Sequence, residues 1–189
     1  MSILFIDAAF REGSRTNRLA QCYLSSCKDR IERIALGECE FRPLNRETLW
    51  CYNEHVAKHD FSDPLFDAAK QFAEADEIVI SAPFWNFGIP AILHDYLEMV
   101  CAQGVTFDLD AKGNYVSLCH AKKLVYLTTA GGPIPENDHA FGYVKLLAEF
   151  FWHIENIEYY KADGLDIYGT NVEAKLSSVC NMMPKEATD

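Results

Sequence analysis

Three short segments of this 189-residue chain bring together residue types that chemistry uses. The first is Gly13-Ser14-Arg15-Thr16-Asn17, which follows an apolar run and opens a helical pattern. Backbone N–H groups at a helix start favour an anion, and the hydroxyls of Ser14 and Thr16 add donors beside them. Arg15 adds a positive charge, so the segment suits a phosphate. An ordinary helix N-cap with Ser14 or Thr16 as the capping residue is the plainer alternative. The second segment, Pro83-Phe84-Trp85-Asn86-Phe87-Gly88-Ile89-Pro90, sets three aromatics on a turn between two prolines. Such a loop suits a flat ligand, the alternative being a loop folded back on the core. The third, Thr128-Thr129-Ala130-Gly131-Gly132-Pro133, has adjacent glycines that let backbone approach a ligand closely, although a plain turn would look the same. There is no G-x-G-x-x-G dinucleotide fingerprint and no G-x-x-x-x-G-K-[ST] loop.

The elements that must position these segments alternate along the chain. Ile3–Ile6, Cys39–Leu44, Glu77–Ala82, Leu124–Thr128 and Ile157–Tyr160 read as strands. Thr16 to about Lys28, a helix capped by Asp63 with Pro64 at its first position, Pro90 to about Gly104, His139 to His153 and Val172 to Met182 read as helices. Thr106–Leu118, with Lys112-Gly113-Asn114 at its middle, reads as an inserted hairpin. Strands apolar on both faces that alternate with helices predict an α/β fold, a doubly wound parallel sheet of five strands with helices on both faces. In the strand order 2-1-3-4-5 the first, third and fourth strands are neighbours. The three segments then meet beyond the carboxyl ends, where such folds bind ligands. A phosphate grip, an aromatic wall and a close-approach glycine loop in that order describe a site for flavin mononucleotide (FMN).

Composition narrows the partners. The net charge of −11 disfavours nucleic acid and anionic membrane surfaces. No apolar stretch reaches bilayer length, and Met1–Asp7 lacks the basic start of a signal peptide, so a single cytoplasmic domain over residues 1–189 is expected. The seven cysteines include no C-x-x-C pair and their odd number rules out a fully paired disulfide framework; they are expected to remain small, buried thiols. His55 and His59 stand four apart, but no acidic or thiol ligand sits at a matching offset on an assigned helix, so no metal site is read there.

The central segment is the most specific. Pro83–Leu93, followed by Ala102-Gln103-Gly104-Val105-Thr106-Phe107, resembles the pattern P-M-Y-N-F-G-I-P-x-x-L-K…A-G-V-T-F of the FMN-dependent NADH-azoreductases, also called NADH:quinone oxidoreductases. The resemblance implies a flavodoxin-like fold, FMN as cofactor, NADH or NADPH as electron donor, and quinones or azo compounds as small-molecule acceptors in a ping-pong reaction. It implies FMN contacts at Ser14, Arg15, Thr16, Asn17, Pro83, Phe84, Trp85, Asn86, Phe87, Thr129, Ala130, Gly131 and Gly132. It also implies a homodimer whose substrate pocket is walled by Phe87, with Phe107 and Trp50 as further aromatic candidates. The flavin carries the chemistry, so no side chain is required as an acid or base. The family has a serine where this chain has Ala9, a tyrosine at Trp85, an arginine at Ala130 and a lysine at His94. A flavodoxin-like electron carrier, or a relative that has lost FMN, remains the alternative at this point.

Overall fold

The computed structural model describes residues 1–39 and 44–184. In chain order its elements are β1 (Ser2–Asp7), α1 (Arg15–Leu24), β2 (Arg30–Ala35), α2 (Arg46–Lys58), α3 (Asp67–Glu74), β3 (Glu77–Ser81), α4 (Ala91–Val100), β4 (Phe107–Leu109), β5 (Tyr115–Ser117), β6 (Lys123–Thr129), α5 (His139–Phe150), β7 (Asn156–Ala162) and α6 (Val172–Met182). Five strands form one parallel sheet in the order β2-β1-β3-β6-β7, which is 2-1-3-4-5 when only its own strands are counted. β4 and β5 pair with each other as a separate antiparallel hairpin within the expected 106–118 excursion.

The unbroken apolar runs result from burial on both faces. Leu4, Ile6, Ile78, Ile80, Leu124 and Tyr126 point to one side and pack on α3, α4 and α5 through Phe72, Leu93, Leu97 and Val144. Ile3, Phe5, Val79, Val125 and Leu127 point to the other side and meet Leu19 and Tyr23 of α1 and Leu176 of α6. Each such side chain contributes about 1.5–3 kcal/mol by leaving water.

Three expectations need correction or adjustment. The outer strand beside β1 is Arg30–Ala35, whose charges at Arg30, Glu32 and Arg33 conceal it because an edge strand keeps one face wet. The strand expected over Cys39–Leu44 falls mostly on residues outside the described ones. Asp63 caps a short 3-10 turn at Pro64–Phe66 before α3 begins, instead of the helix itself. The clearest correction concerns sulfur. Cys22 and Cys180 are not thiols but a disulfide, with Cα atoms 5.7 Å apart across 158 positions. α1 and α6 lie side by side on one face of the sheet, which a scan for nearby cysteines in sequence cannot reveal. Closing so long a loop removes about 5 kcal/mol of unfolded-chain entropy in the simplest model. Cys101 and Cys119 do match the expectation: burial pushes both thiols up to about 12.

At the carboxyl end of β1, Asp7 is fully buried. Its carboxylate accepts hydrogen bonds from the Ala9 N–H at 2.9 Å, the Ser81 hydroxyl at 3.2 Å and the Arg33 guanidinium at 2.7 and 3.1 Å. Three neighbouring strands are thus fastened at the edge where the loops begin. Asp7→Ala strands Arg33 and Ser81 and is expected to lower the unfolding free energy by about 3 kcal/mol in urea titration, with Asp7→Asn losing less.

Candidate functional site

The carboxyl ends of β1, β3 and β6 open into a crevice of about 170 Å³. It is lined by Ser14, Arg15, Thr16, Pro83, Phe84, Trp85, Thr129, Ala130 and Gly131 together with Ala9, Arg11 and Asp166. Nine residues expected from three separate segments are therefore brought together. Asn17 lines an adjoining groove between α1 and α6, and Asn86 lines a second groove of about 730 Å³ that shares Trp85 with the crevice.

Each loop has a local cause for its shape. Ser14 caps α1 by accepting the Asn17 N–H at 3.3 Å, so the capping reading and the anion reading describe the same geometry. Among the described residues the backbone N–H groups of Arg15 and Thr16 donate to no protein atom, as at any helix start. The buried Thr16 hydroxyl lies 2.6 Å from that of Thr129 and ties the first loop to the third. One of these hydroxyls donates to the other, leaving one hydrogen to offer a ligand. Arg15 pairs with Asp166 at 2.8 Å and sits at the crevice rim.

The aromatic loop is a two-residue turn. The Trp85 N–H donates to the Gly88 carbonyl at 3.1 Å, and the Gly88 N–H donates back to the Trp85 carbonyl at 2.9 Å. Between them Asn86 and Phe87 have φ of 51° and 62°, the left-handed region that non-glycine residues enter at a cost. The turn presents the amides of Asn86 and Phe87 without a protein acceptor among the described residues. Phe84 is bound to the third loop through its N–H on the Thr129 carbonyl. Phe87 is 72% exposed and meets only the edge of Phe84, so the loop is not folded back onto the core.

In the glycine loop, Asp166 explains Gly131. Its carboxylate occupies the space that a Cβ on Gly131 would fill, while its N–H donates to the Gly131 carbonyl at 2.9 Å. Gly132 has open space on its Cβ side. Phe107 and Trp50 are not part of this crevice within one chain. Phe107 stacks on Phe151 at 4.4 Å beside the hairpin, and Trp50 is 66% exposed on α2. His59 leaves its helix in the left-handed conformation, so it does not share a helical face with His55.

Sequence reasoning missed Asp7, Phe10 and Asp166. Phe10 lies over Gly37 and meets the Trp85 ring edge-on at 6.2 Å. Asp7 carried a usable signal, as the one charge ending an apolar strand. Asp166 carried none, because its partners lie 35 and 151 positions away.

A doubly wound sheet with free amides, paired hydroxyls and an exposed aromatic turn at its carboxyl edge defines a flavodoxin-like protein built to hold an anionic, planar ligand. The family model described as flavodoxin-like fold matches residues 1–182. An FMN-dependent NADH:quinone oxidoreductase of Clostridium perfringens is 40% identical over 92% of this chain and 91% of its own length. One from Clostridium beijerinckii is 35% identical over 98% and 97%. A solved azoreductase from Bacillus anthracis superposes with a TM-score of 0.82, 24% identity and 96% of both chains covered, which speaks to the fold. The chain belongs to the flavodoxin-like family of FMN-dependent NADH:quinone oxidoreductases.

The left-handed turn gives a direct test of its purpose. Phe87→Gly relieves backbone strain and removes an exposed ring, so apoprotein stability should hold or rise by up to about 1 kcal/mol in urea titration. Asn86→Ala should cost about 1 kcal/mol, because asparagine tolerates the left-handed region better than alanine. A loss of about 3–5 kcal/mol for Phe87→Ala would instead mark a core aromatic.

Proposed function

We propose that the protein is an FMN-dependent oxidoreductase using NADH or NADPH to reduce quinones or azo compounds. Bound FMN supplies hydride transfer between the nicotinamide and the acceptor. The observation that carries this reading is the left-handed Asn86-Phe87 turn, whose unpaired amides stand beside the crevice formed by the other two loops. In this reading the N–H groups of Arg15 and Thr16, with the Ser14 hydroxyl, hold the FMN phosphate. Pro83, Phe84 and Trp85 back the ring, Asn86 and Phe87 bind its edge, and Thr129, Ala130, Gly131 and Gly132 line its far end. Donors held in place by the protein stabilise negative charge on the ring without reorganising. Ala9 costs one hydroxyl relative to the family pattern, and the backbone amides carry the grip. Family membership with curated relatives named for FMN, NADH and quinone supports the assignment.

The working unit in this reading is a homodimer acting on small molecules in the cytoplasm. Phe87 is open on one side, and exposed apolar residues lie on α2 at Leu49 and Trp50, and on the hairpin at Leu109, Tyr115 and Val116. Exposed apolar surface of this kind favours a partner. A second copy is then the source of the missing wall, with Phe107 and Trp50 as the residues to test. No helix among the described residues is long and apolar enough to cross a membrane.

The deciding experiment is an anaerobic titration of FMN-loaded protein with NADH. The yellow colour should bleach with one equivalent and return on adding a quinone; a colour that persists means an electron carrier instead. Thr16→Ala removes the hydroxyl link to Thr129 and should weaken FMN binding about tenfold, read by flavin fluorescence. Sedimentation of active protein as a monomer would remove the shared pocket.

A further inference from the structure

The Cys22–Cys180 disulfide joins α1 to α6 at the wall of an open groove. Both residues are half-buried and line the groove between α1 and α6, an open space of about 1090 Å³ that reaches Gly13 and Ser14 at its other end. A small thiol that enters the groove comes against the two residues that form the bridge. Of the remaining cysteines, Cys101 and Cys119 are kept as inert thiols by burial. Where an intracellular protein of ordinary habitat carries a disulfide, it is usually transient and redox-sensing.

The bond also sits where its loss has somewhere to act. Of the eleven residues of α6 only Leu176 is fully buried; with the half-buried Val172 and Val179 it packs on the cluster that includes Leu19 and Tyr23, and the Arg18–Glu173 ion pair adds a surface tie to α1. Upstream of α6, the connection from β7 is laid against the glycine loop. The Gly164 N–H donates to the Gly132 carbonyl at 2.8 Å, the Leu165 N–H to the Ala130 carbonyl at 3.1 Å and the Asp166 N–H to the Gly131 carbonyl at 2.9 Å. Lys175 of α6 reaches back to the Asp163 carbonyl at 2.7 Å. Thus the disulfide adds a covalent tie to the packing that holds α6, α6 helps hold the 163–171 connection through Lys175, and that connection backs one wall of the crevice.

We propose that Cys22–Cys180 is a reversible thiol–disulfide switch, opened by a low-molecular-weight thiol, that loosens α6 and lowers the affinity of the crevice for FMN. The thiolate attacks one sulfur, the S–S bond breaks, and the departing cysteine thiolate takes a proton from water. A second thiol attacks the resulting mixed disulfide. The products are two cysteine thiols and one oxidised thiol dimer, so two electrons and two protons enter the protein. The part concerning FMN rests on the function proposed above; the loosening of α6 does not.

The test uses the full chain, with dithiothreitol as the thiol. Alkylation in denaturant and intact-mass measurement should show five labelled cysteines without reductant and seven with it. Hydrogen exchange on the apoprotein should then show α6 amides exchanging about tenfold faster after reduction, with β1 and β3 unchanged. FMN should bind about threefold to tenfold more weakly to the reduced protein. The double variant Cys22→Ser, Cys180→Ser should bind like reduced protein and ignore the thiol, and Cys180→Ala should reproduce it. Seven labels without reductant, or identical exchange in the two states, overturns the switch. Altered exchange with unchanged FMN affinity overturns its coupling to the crevice. If neither state binds FMN, the proposed function fails while the exchange measurement still decides whether α6 is released.

Discussion

Asp7 is a charge removed from water at the end of an internal strand, and burial of that kind is tolerated only if its oxygens are satisfied by the protein. The chain satisfies them from three directions at once: Arg33 on β2, Ser81 on β3 and the Ala9 amide in the loop between. The consequence is geometric. Every loop that enters the crevice leaves the sheet within a residue or two of this junction or of the strand beside it. The first loop departs directly from Asp7, the aromatic loop comes after Ser81, and Ala82 reaches the third strand of the set through its N–H on the Leu127 carbonyl. A carboxylate that needs those three partners thereby helps fix the separation of the first and aromatic loops before any ligand arrives.

Legibility in the sequence divides along physical lines. Strands buried on both faces announce themselves, because every residue of β1, β3 and β6 between the first and the last is apolar, aromatic or small. α6 was legible to its ends, since the helix read over Val172 to Met182 is the one that forms. β2 was not, since half its surface faces water and carries charge. α2 was also missed; none of its side chains is fully buried, so it has no apolar stripe to read.

The site shows the same division. Local motifs placed Ser14, the Trp85–Phe87 turn and the paired glycines, all of which act through backbone conformation that neighbouring residues determine. Interactions at long range were out of reach: Arg15 with Asp166, Thr16 with Thr129, and Cys22 with Cys180. Thr16 is instructive, because a helix-start threonine suggested a free donor, whereas its hydroxyl is shared with the opposite loop. Gly131 likewise suggested room for a ligand, and part of that room is filled by the Asp166 carboxylate.

The sulfur bridge closes the stretch from Cys22 to Cys180 into a covalent ring. The segment before Cys22 lies outside that ring and contains β1 and the Gly13–Asn17 loop. A force applied before β1 and after Cys180 therefore bypasses β3, β6 and β7 and runs through β1 and α1 to the bridge. β1 is bonded to parallel neighbours on both sides, so drawing it out breaks two ladders. A translocating unfoldase that arrives from the carboxyl side meets a different obstacle: at Cys180 the single strand becomes three, the two limbs of the closed loop and the segment before Cys22, and all must pass through its pore together until the bridge is reduced.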